Sequence, residues 1–208
     1  MSQASLLAEG TSALGLSLSP AQHEKLLAYV ALLQRWNAAY NLTAVRTPEE
    51  MIVRHLLDSL AVAPWVEPTA LLDVGTGAGL PGIPLAIAHP GLQVTMLDSN
   101  GKKTRFVKQA ILELGLPNAT VVQTRVEQYR SAFPQVTLRA FASLPDIIAL
   151  ASGCLAPGGR ILALKGALTD VEMAGVPPGW QVQREKLTVP FLDEQRQLLM
   201  LTREGESK

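Results

Sequence analysis

Apolar residues recur at helical spacing through the first 65 positions, and then the pattern changes. Leu26, Val30, Leu33 and Trp36 fall three or four residues apart, with Leu27 and Tyr40 alongside, which predicts an amphipathic helix. Ser19-Pro20-Ala21-Gln22 opens it, with serine as cap, proline at the first helical position and glutamine three residues on. Thr47-Pro48-Glu49-Glu50 repeats that opening ahead of a second stripe, Ile52, Leu56 and Leu60. An earlier helix spans Leu6 to Leu14. These pieces are too small for a core of their own. They predict an N-terminal helical cap over residues 1–65, packed on a domain spanning 66–208. Between the two main helices, Trp36 to Thr43 reads as a loop whose asparagines and threonine do turn and cap work; that reading takes precedence over Trp36 and Asn41 shaping a surface near a cofactor pocket. Arg54-His55 and Asp58-Ser59 sit one turn apart and read as a helix-face ion pair.

From Ala70 the pattern alternates between short apolar runs and helical segments. Strands are predicted over Leu71 to Val74, Gln93 to Leu97, Thr120 to Gln123, Val136 to Phe141 and Arg160 to Leu164. Helices are predicted over Ile83 to Ala88, Gly101 to Leu114 and Asp146 to Leu155, with a turn at Pro157-Gly158-Gly159. Gln181 to Val189 and Gln197 to Thr202 alternate and read as a final antiparallel pair. The fold class is α/β, a mostly parallel seven-stranded sheet covered by helices.

The first strand runs into the most informative stretch, Leu71 to Leu85. Gly75, Gly77 and Gly79 follow the strand at alternate positions, and a helix follows them. Glycine reaches backbone angles closed to other residues and lets a ligand approach the main chain. Two cofactors fit. The spacing Gly75-x-Gly77-x-Gly79 is that of S-adenosylmethionine (SAM) enzymes, and Gly77 to Gly82 also fits the dinucleotide fingerprint. In open α/β sheets ligands bind beyond the carboxyl ends of the strands. The residues to weigh are therefore the glycines and Leu80, Asp98 after strand two, Arg125-Val126-Glu127 after strand three, Arg139 to Ser143 after strand four, and Lys165 after strand five. Asp98 is placed to accept from ribose hydroxyls. Asp73, ahead of the first glycine, belongs to the SAM-type pattern and would set negative potential near a cationic sulfonium. Pro81 and Pro84 remove N–H donors that a dinucleotide pyrophosphate would use. These details weigh toward SAM, with a nicotinamide cofactor still open.

Composition narrows the class further. The chain has 208 residues, 48% hydrophobic and 17% charged, which favours a sizeable core over disorder. No apolar run approaches the roughly 20 residues that cross a bilayer, and the N-terminus lacks a basic leader. A single cysteine, Cys154, suits a reducing cytoplasm. Net charge is zero, but seven basic and two acidic residues lie between Lys102 and Arg139. That excess is either a solvated helix face or a docking strip for a polyanion.

Longer blocks then carry a resemblance. Trp36-Asn37…Asn41-Leu42-Thr43, Arg54-His55…Asp58-Ser59, Asp73 to Leu85, Leu97-Asp98-Ser99…Gly101-Lys102-Lys103, Arg125-Val126-Glu127, Arg139 to Leu144 and Ala163 to Gly166 resemble, in order, the RsmG (GidB) family. The resemblance implies a class I (Rossmann-like) methyltransferase that uses SAM to methylate N7 of a guanine in 16S rRNA of the small ribosomal subunit. It implies that Gly75 and Leu80 line the cofactor pocket, with Asp73, Gly77 and Asp98 beside them. Val126 holds the adenine through its backbone and Glu127 through its side chain. Arg139 closes the site between cofactor and RNA. Lys102, Arg125 and Arg196 look like the family's basic RNA-linked residues, and Lys165 joins them from its place after strand five. Ala78 stands where the family often has proline.

The implied chemistry needs little from side chains. Guanine N7 carries a free lone pair, so no general base is expected, and Arg139, always protonated, serves as a positioning residue. No metal is expected: His23, His55 and His89 lie far apart. Cys154 reads as core. N7 faces the deep groove of A-form RNA, so the target guanine belongs in a loop or becomes exposed. A cytoplasmic monomer with no stable protein partner completes the expectation.

Overall fold

The computed structural model describes residues 1–139, 142–167 and 170–205. Seven strands form one sheet: β1 (Ala70–Val74), β2 (Gln93–Asp98), β3 (Ala119–Gln123), β4 (Phe133–Arg139), β5 (Leu155–Lys165), β6 (Trp180–Leu187) and β7 (Arg196–Arg203). Their order is β3-β2-β1-β4-β5-β7-β6. The first five pair in parallel, and β7 runs antiparallel to both β5 and β6. The chain moves outward from β1 to β2 and β3, then returns to lay β4 on the other side of β1. Such a reversal opens a crevice at the carboxyl ends of the two central strands. The glycine turn after β1 and Arg139 at the end of β4 both meet that crevice.

Alternation along the strands builds two apolar layers. Leu71, Met96, Leu162, Leu164, Leu198 and Met200 face one side, where α2 (Pro20–Tyr40), α5 (Gly82–Ala88) and α6 (Gly101–Glu113) contribute Leu26, Tyr29, Ile83 and Phe106 to the same core. Leu7 of α1 (Gln3–Ala13) and Leu57 belong to it too. The N-terminal helices thus share a core with the sheet. Leu72, Leu97, Ile161, Ala163, Leu199 and Leu201 face the other side, covered by α7 (Leu144–Ala151). No described helix is long and apolar enough to cross a membrane.

Helix starts follow their local chemistry. Ser19 accepts from the Gln22 amide at 3.3 Å while Gln22 Oε1 accepts from the Ser19 amide at 2.8 Å, a reciprocal cap. Thr47 caps α3 (Pro48–Met51) through the Glu50 amide. A π-helical segment, Ile52–Leu57, continues α3 into α4 (Asp58–Leu60).

Several boundaries differ from expectation. Trp36, Asn37 and Tyr40 are the last turn of α2, and the chain leaves that helix only at Asn41, whose φ is +50°. Aromatic packing extends the helix: Trp36 meets Phe106 of α6 edge-on at 5.7 Å. The turn at Pro157-Gly158-Gly159 lies inside β5, which begins at Leu155 because Leu155 pairs with Phe133 across a register shift. The preceding helix accordingly ends at Ala151. A short helix, α8 (Asp170–Ala174), has no sequence expectation behind it. Ala140 and Phe141, assigned to the end of the fourth strand, lie outside the described residues.

Candidate active site

The glycine turn is held by carboxylates from two strands. Asp73 of β1 is fully buried, and its Oδ2 accepts from Thr76 Oγ1 at 2.5 Å and from the Gly82 amide at 2.9 Å. One carboxylate therefore ties the strand end to the loop and to the first residue of α5. Among the described residues, its other oxygen, Oδ1, has no hydrogen-bond partner. Burial pushes the Asp73 carboxyl up to about 6, against the opposing pull of Thr76, Gly82 and Arg139. Gly82 has to be glycine here, since a Cβ would lie 2.6 Å from Met96 Cγ and 2.8 Å from Asp73 Oδ2. Asp98, at the end of β2, accepts from the Gly77 amide at 2.9 Å and from the Asn100 amide at 2.8 Å. From the cap side, Tyr29 of α2 donates to the Ala78 carbonyl at 2.7 Å. Burial raises the Tyr29 hydroxyl pKa, so it stays a donor.

A second set of side chains faces this loop. Asp58 is buried, and each of its oxygens takes a different arginine: Oδ1 pairs with Arg196 Nε at 2.9 Å and Oδ2 with Arg139 Nη1 at 3.2 Å. Glu194 then bridges outward, with Arg196 Nη2 at 2.8 Å and Arg54 Nη2 at 2.8 Å. The helix-face ion pair expected of Arg54 and Asp58 is replaced by distant partners: Glu194, just before β7, for Arg54, and Arg139 of β4 and Arg196 of β7 for Asp58. The π-helical turn between them brings Arg54, His55 and Asp58 to one wall. Burial first, and then Arg139, lower the His55 pKa to about 4, so the ring is neutral and shares a 2.9 Å hydrogen bond with Thr43. Asn37, buried in α2, accepts from the Thr43 amide and donates to the Val45 carbonyl, folding the 42–45 loop against the same wall.

Together these groups enclose a cavity of about 460 Å³. Its floor is Gly75 to Ala78 and Leu80; its opposite wall is Leu42, Thr43, Val45, Arg54, His55 and Asp58. Lys103, Arg139, Lys165, Glu194 and Arg196 complete the polar lining. Five cationic side chains and two carboxylates give it a positive balance suited to an anionic ligand.

The chain's relatives decide what this site belongs to. The family model described as GidB, rRNA small subunit methyltransferase G, matches residues 22–200. The chain belongs to the GidB family. Its similarity to a protein named ribosomal RNA small subunit methyltransferase G from Marinobacter nauticus is 52% identity over 200 residues, covering 95% of this chain and 94% of that protein. The protein of the same name from Chromohalobacter salexigens is 53% identical over 196 residues, covering 93% and 94%. Among solved structures, the magnesium protoporphyrin IX methyltransferase of Synechocystis with bound SAM superposes with a TM-score of 0.61 at 14% identity, over 85% of this chain and 97% of that one. TrmN from Thermus thermophilus gives 0.57 at 16% identity, over 82% and 52%. Those likenesses confirm the class I α/β fold.

The residues assigned from the GidB resemblance divide into three groups in space. Gly75, Gly77, Leu80, Arg139, Lys165 and Arg196 line the cavity. Asp98, Val126, Glu127, Lys102 and Arg125 lie outside that lining, at the end of β2, on the turn that follows β3 and on α6. They stand along the carboxyl edge of the sheet, beside the cavity. Asp73 touches neither region from the solvent side and acts through Thr76 and Gly82. Lys165 reaches the cavity from a buried position, where it donates to the Ala142 carbonyl and pairs with Glu172. Trp36 and Asn41 also fall outside the cavity lining. Arg54, His55, Asp58 and Glu194 also line the cavity, and sequence reasoning left them aside. A one-turn spacing hides partners that come from elsewhere in the chain. Cys154 is buried in the second apolar layer, as its reading as core requires.

Proposed function

We propose that this protein transfers a methyl group from SAM to N7 of a guanine in 16S rRNA of the small ribosomal subunit. The observation that carries the reading is a glycine turn with room above its main chain, opposed by a cationic wall. Gly75 has a φ of +67°, and a Cβ there would meet nothing within 4 Å, so its backbone is open to a ligand. The cavity volume suits a cofactor-sized molecule. Gly75, Gly77 and Leu80 would hold the cofactor's amino-acid end, Asp98 its ribose, and Val126 and Glu127 its adenine along the sheet edge.

When bound, SAM supplies a sulfonium-borne methyl that the N7 lone pair can take in line, with no proton to remove first. This chain's part is placement. Arg139, which lines the cavity and is held by Asp58, would orient the two reactants. Arg196, with Lys102 and Arg125 further out, would receive RNA phosphates. Neutral His55 shapes the pocket and adds no charge. Residues 1–65 would act as a cap that walls the cavity. A ribosomal substrate carries a cytoplasmic location with it. The acting unit is read as the monomer, since the lining named above comes from one chain.

Mass mapping of methylated guanines in 16S rRNA from cells with and without the gene tests the reading. Loss of one 7-methylguanosine is expected in its absence, and an unchanged map would refute it. Calorimetry with SAM and with NADH tests the cofactor: SAM is expected to bind and NADH is not.

A further inference from the structure

The two carboxylates among the site's arginines differ in how they are held. The Asp58 side chain is 6% exposed, and both its oxygens are committed to guanidinium groups. The Glu194 side chain is 40% exposed and stands on the loop before β7. Its two oxygens are split between two arginines, Oε1 to Arg54 Nη2 and Oε2 to Arg196 Nη2, each at 2.8 Å. Arg54 comes from the π-helical segment and Arg196 from β7, so a single exposed anion joins the cap to the sheet. Hydrogen bonds from those two guanidiniums hold Glu194 below the usual carboxylate range, Arg196 contributing most.

A carboxylate bridging two guanidiniums through separate oxygens presents the same pattern as the two terminal oxygens of a phosphodiester. Exposed ion pairs contribute little net stability, so such an anion can be exchanged, whereas Asp58 cannot leave without stranding buried charge. We propose that Glu194 is an internal stand-in for an RNA phosphate: it occupies the Arg54–Arg196 site when RNA is absent and is displaced by a backbone phosphate when RNA docks. Asp58 keeps Arg196 and Arg139 aimed throughout. The site adds Arg54, a cap residue, to the RNA surface, and it makes non-cognate RNA compete against a tethered anion. This inference rests on the RNA-methylating role given above.

The test is binding of a polyuridylate 12-mer, a backbone with no guanine, as a function of salt. Glu194→Gln is expected to bind it about three- to tenfold more tightly than the unaltered protein, with a salt dependence steeper by about one phosphate contact. Arg54→Ala added to Glu194→Gln is expected to cancel that gain. Glu194→Ala, which removes the bridging oxygens as well, should tighten binding in the same direction. Equal or weaker binding by both Glu194 variants, with an unchanged salt slope, would overturn the proposal, and so would loss of folding in both, followed by thermal melting. The unaltered protein is assayed in parallel for methylation of small-subunit rRNA. Methylation without any tightening by the variants defeats this inference alone. Absence of both methylation and RNA binding defeats the underlying function as well.

Discussion

Asp58 and Arg139 are 81 residues apart in the chain and meet at 3.2 Å in the wall of the cavity. The same carboxylate holds Arg196, 138 residues away, at 2.9 Å. A buried anion thus fixes two cations that both line the site, one from β4 and one from β7. Asp58→Ala is expected to lower stability by about 2–4 kcal/mol, less than for a fully enclosed pair because both arginines keep some contact with solvent. Urea denaturation measures this, and a loss below about 0.5 kcal/mol would show that the arginines are held by other means.

Tyr29 is the cap's direct hold on the glycine turn. Tyr29→Phe keeps the ring packed 6.1 Å from Phe106 and removes only the donor to the Ala78 carbonyl. A buried acceptor left without its partner costs about 1–3 kcal/mol. Chemical denaturation should report that loss. SAM affinity, measured by calorimetry, should fall as the turn loosens; affinity equal to that of the unaltered protein would separate the turn's geometry from the cap.

Two buried groups make stability depend on pH in opposite directions. Asp73 keeps its proton to about pH 6 in the fold, whereas an unfolded carboxyl releases it near 4. Between those values the folded state holds more protons, so this group's contribution falls as pH rises, by about 3 kcal/mol in all. His55 titrates near 4 in the fold and near 6.5 when unfolded. The unfolded state holds more protons in that window, so the stability from neutral His55 is lost as pH falls from about 6.5 to 4, again by about 3 kcal/mol. Relative to the unaltered protein, Asp73→Asn should lose more stability between pH 7 and 4.5, and His55→Gln should lose less. Denaturation curves at the two pH values settle the signs. Parallel pH slopes for all three proteins would mean that neither group titrates differently on folding.

Lys102 and Lys165, both expected to be RNA-linked, occupy different settings in the fold. Lys102 is exposed on the first turn of α6, whereas Lys165 is buried against Glu172. Lys102→Ala should weaken rRNA binding and reduce its salt slope by about one, with stability within about 0.5 kcal/mol. Lys165→Ala should destabilise the fold by about 1–3 kcal/mol, since it removes a buried ammonium's ion pair with Glu172 and its hydrogen bond to the Ala142 carbonyl. Salt-dependent binding beside urea denaturation distinguishes them, and equal stability losses would put both in one structural class.

Short-range signals in the sequence carried much of the architecture. Ser19 and Thr47 mark helix starts because caps are satisfied within four residues. The glycine turn is legible because positive φ and close approach restrict residue choice locally. Acids and cations just past each strand could be placed near a ligand because parallel strands deliver their carboxyl ends to one edge. Boundaries failed where pairing overrode local chemistry, as when Phe133 drew Leu155 into β5 and carried a predicted turn into the strand.

The sequence by itself determined the strand, turn and helix grammar of a class I methyltransferase and the family to which it belongs. Only the tertiary structure decided which charges meet. Burying the apolar faces of α2 and the 48–60 helical stretch against the sheet brings Arg54, His55 and Asp58 over the glycine turn. Once they are there, Asp58 must find cations, because a carboxylate taken out of water is costly alone. It finds them on β4 and β7, at separations no local pattern could report. The same burial pairs Lys165 with Glu172 at the edge of the cavity and leaves Glu194 on the exposed side of the site.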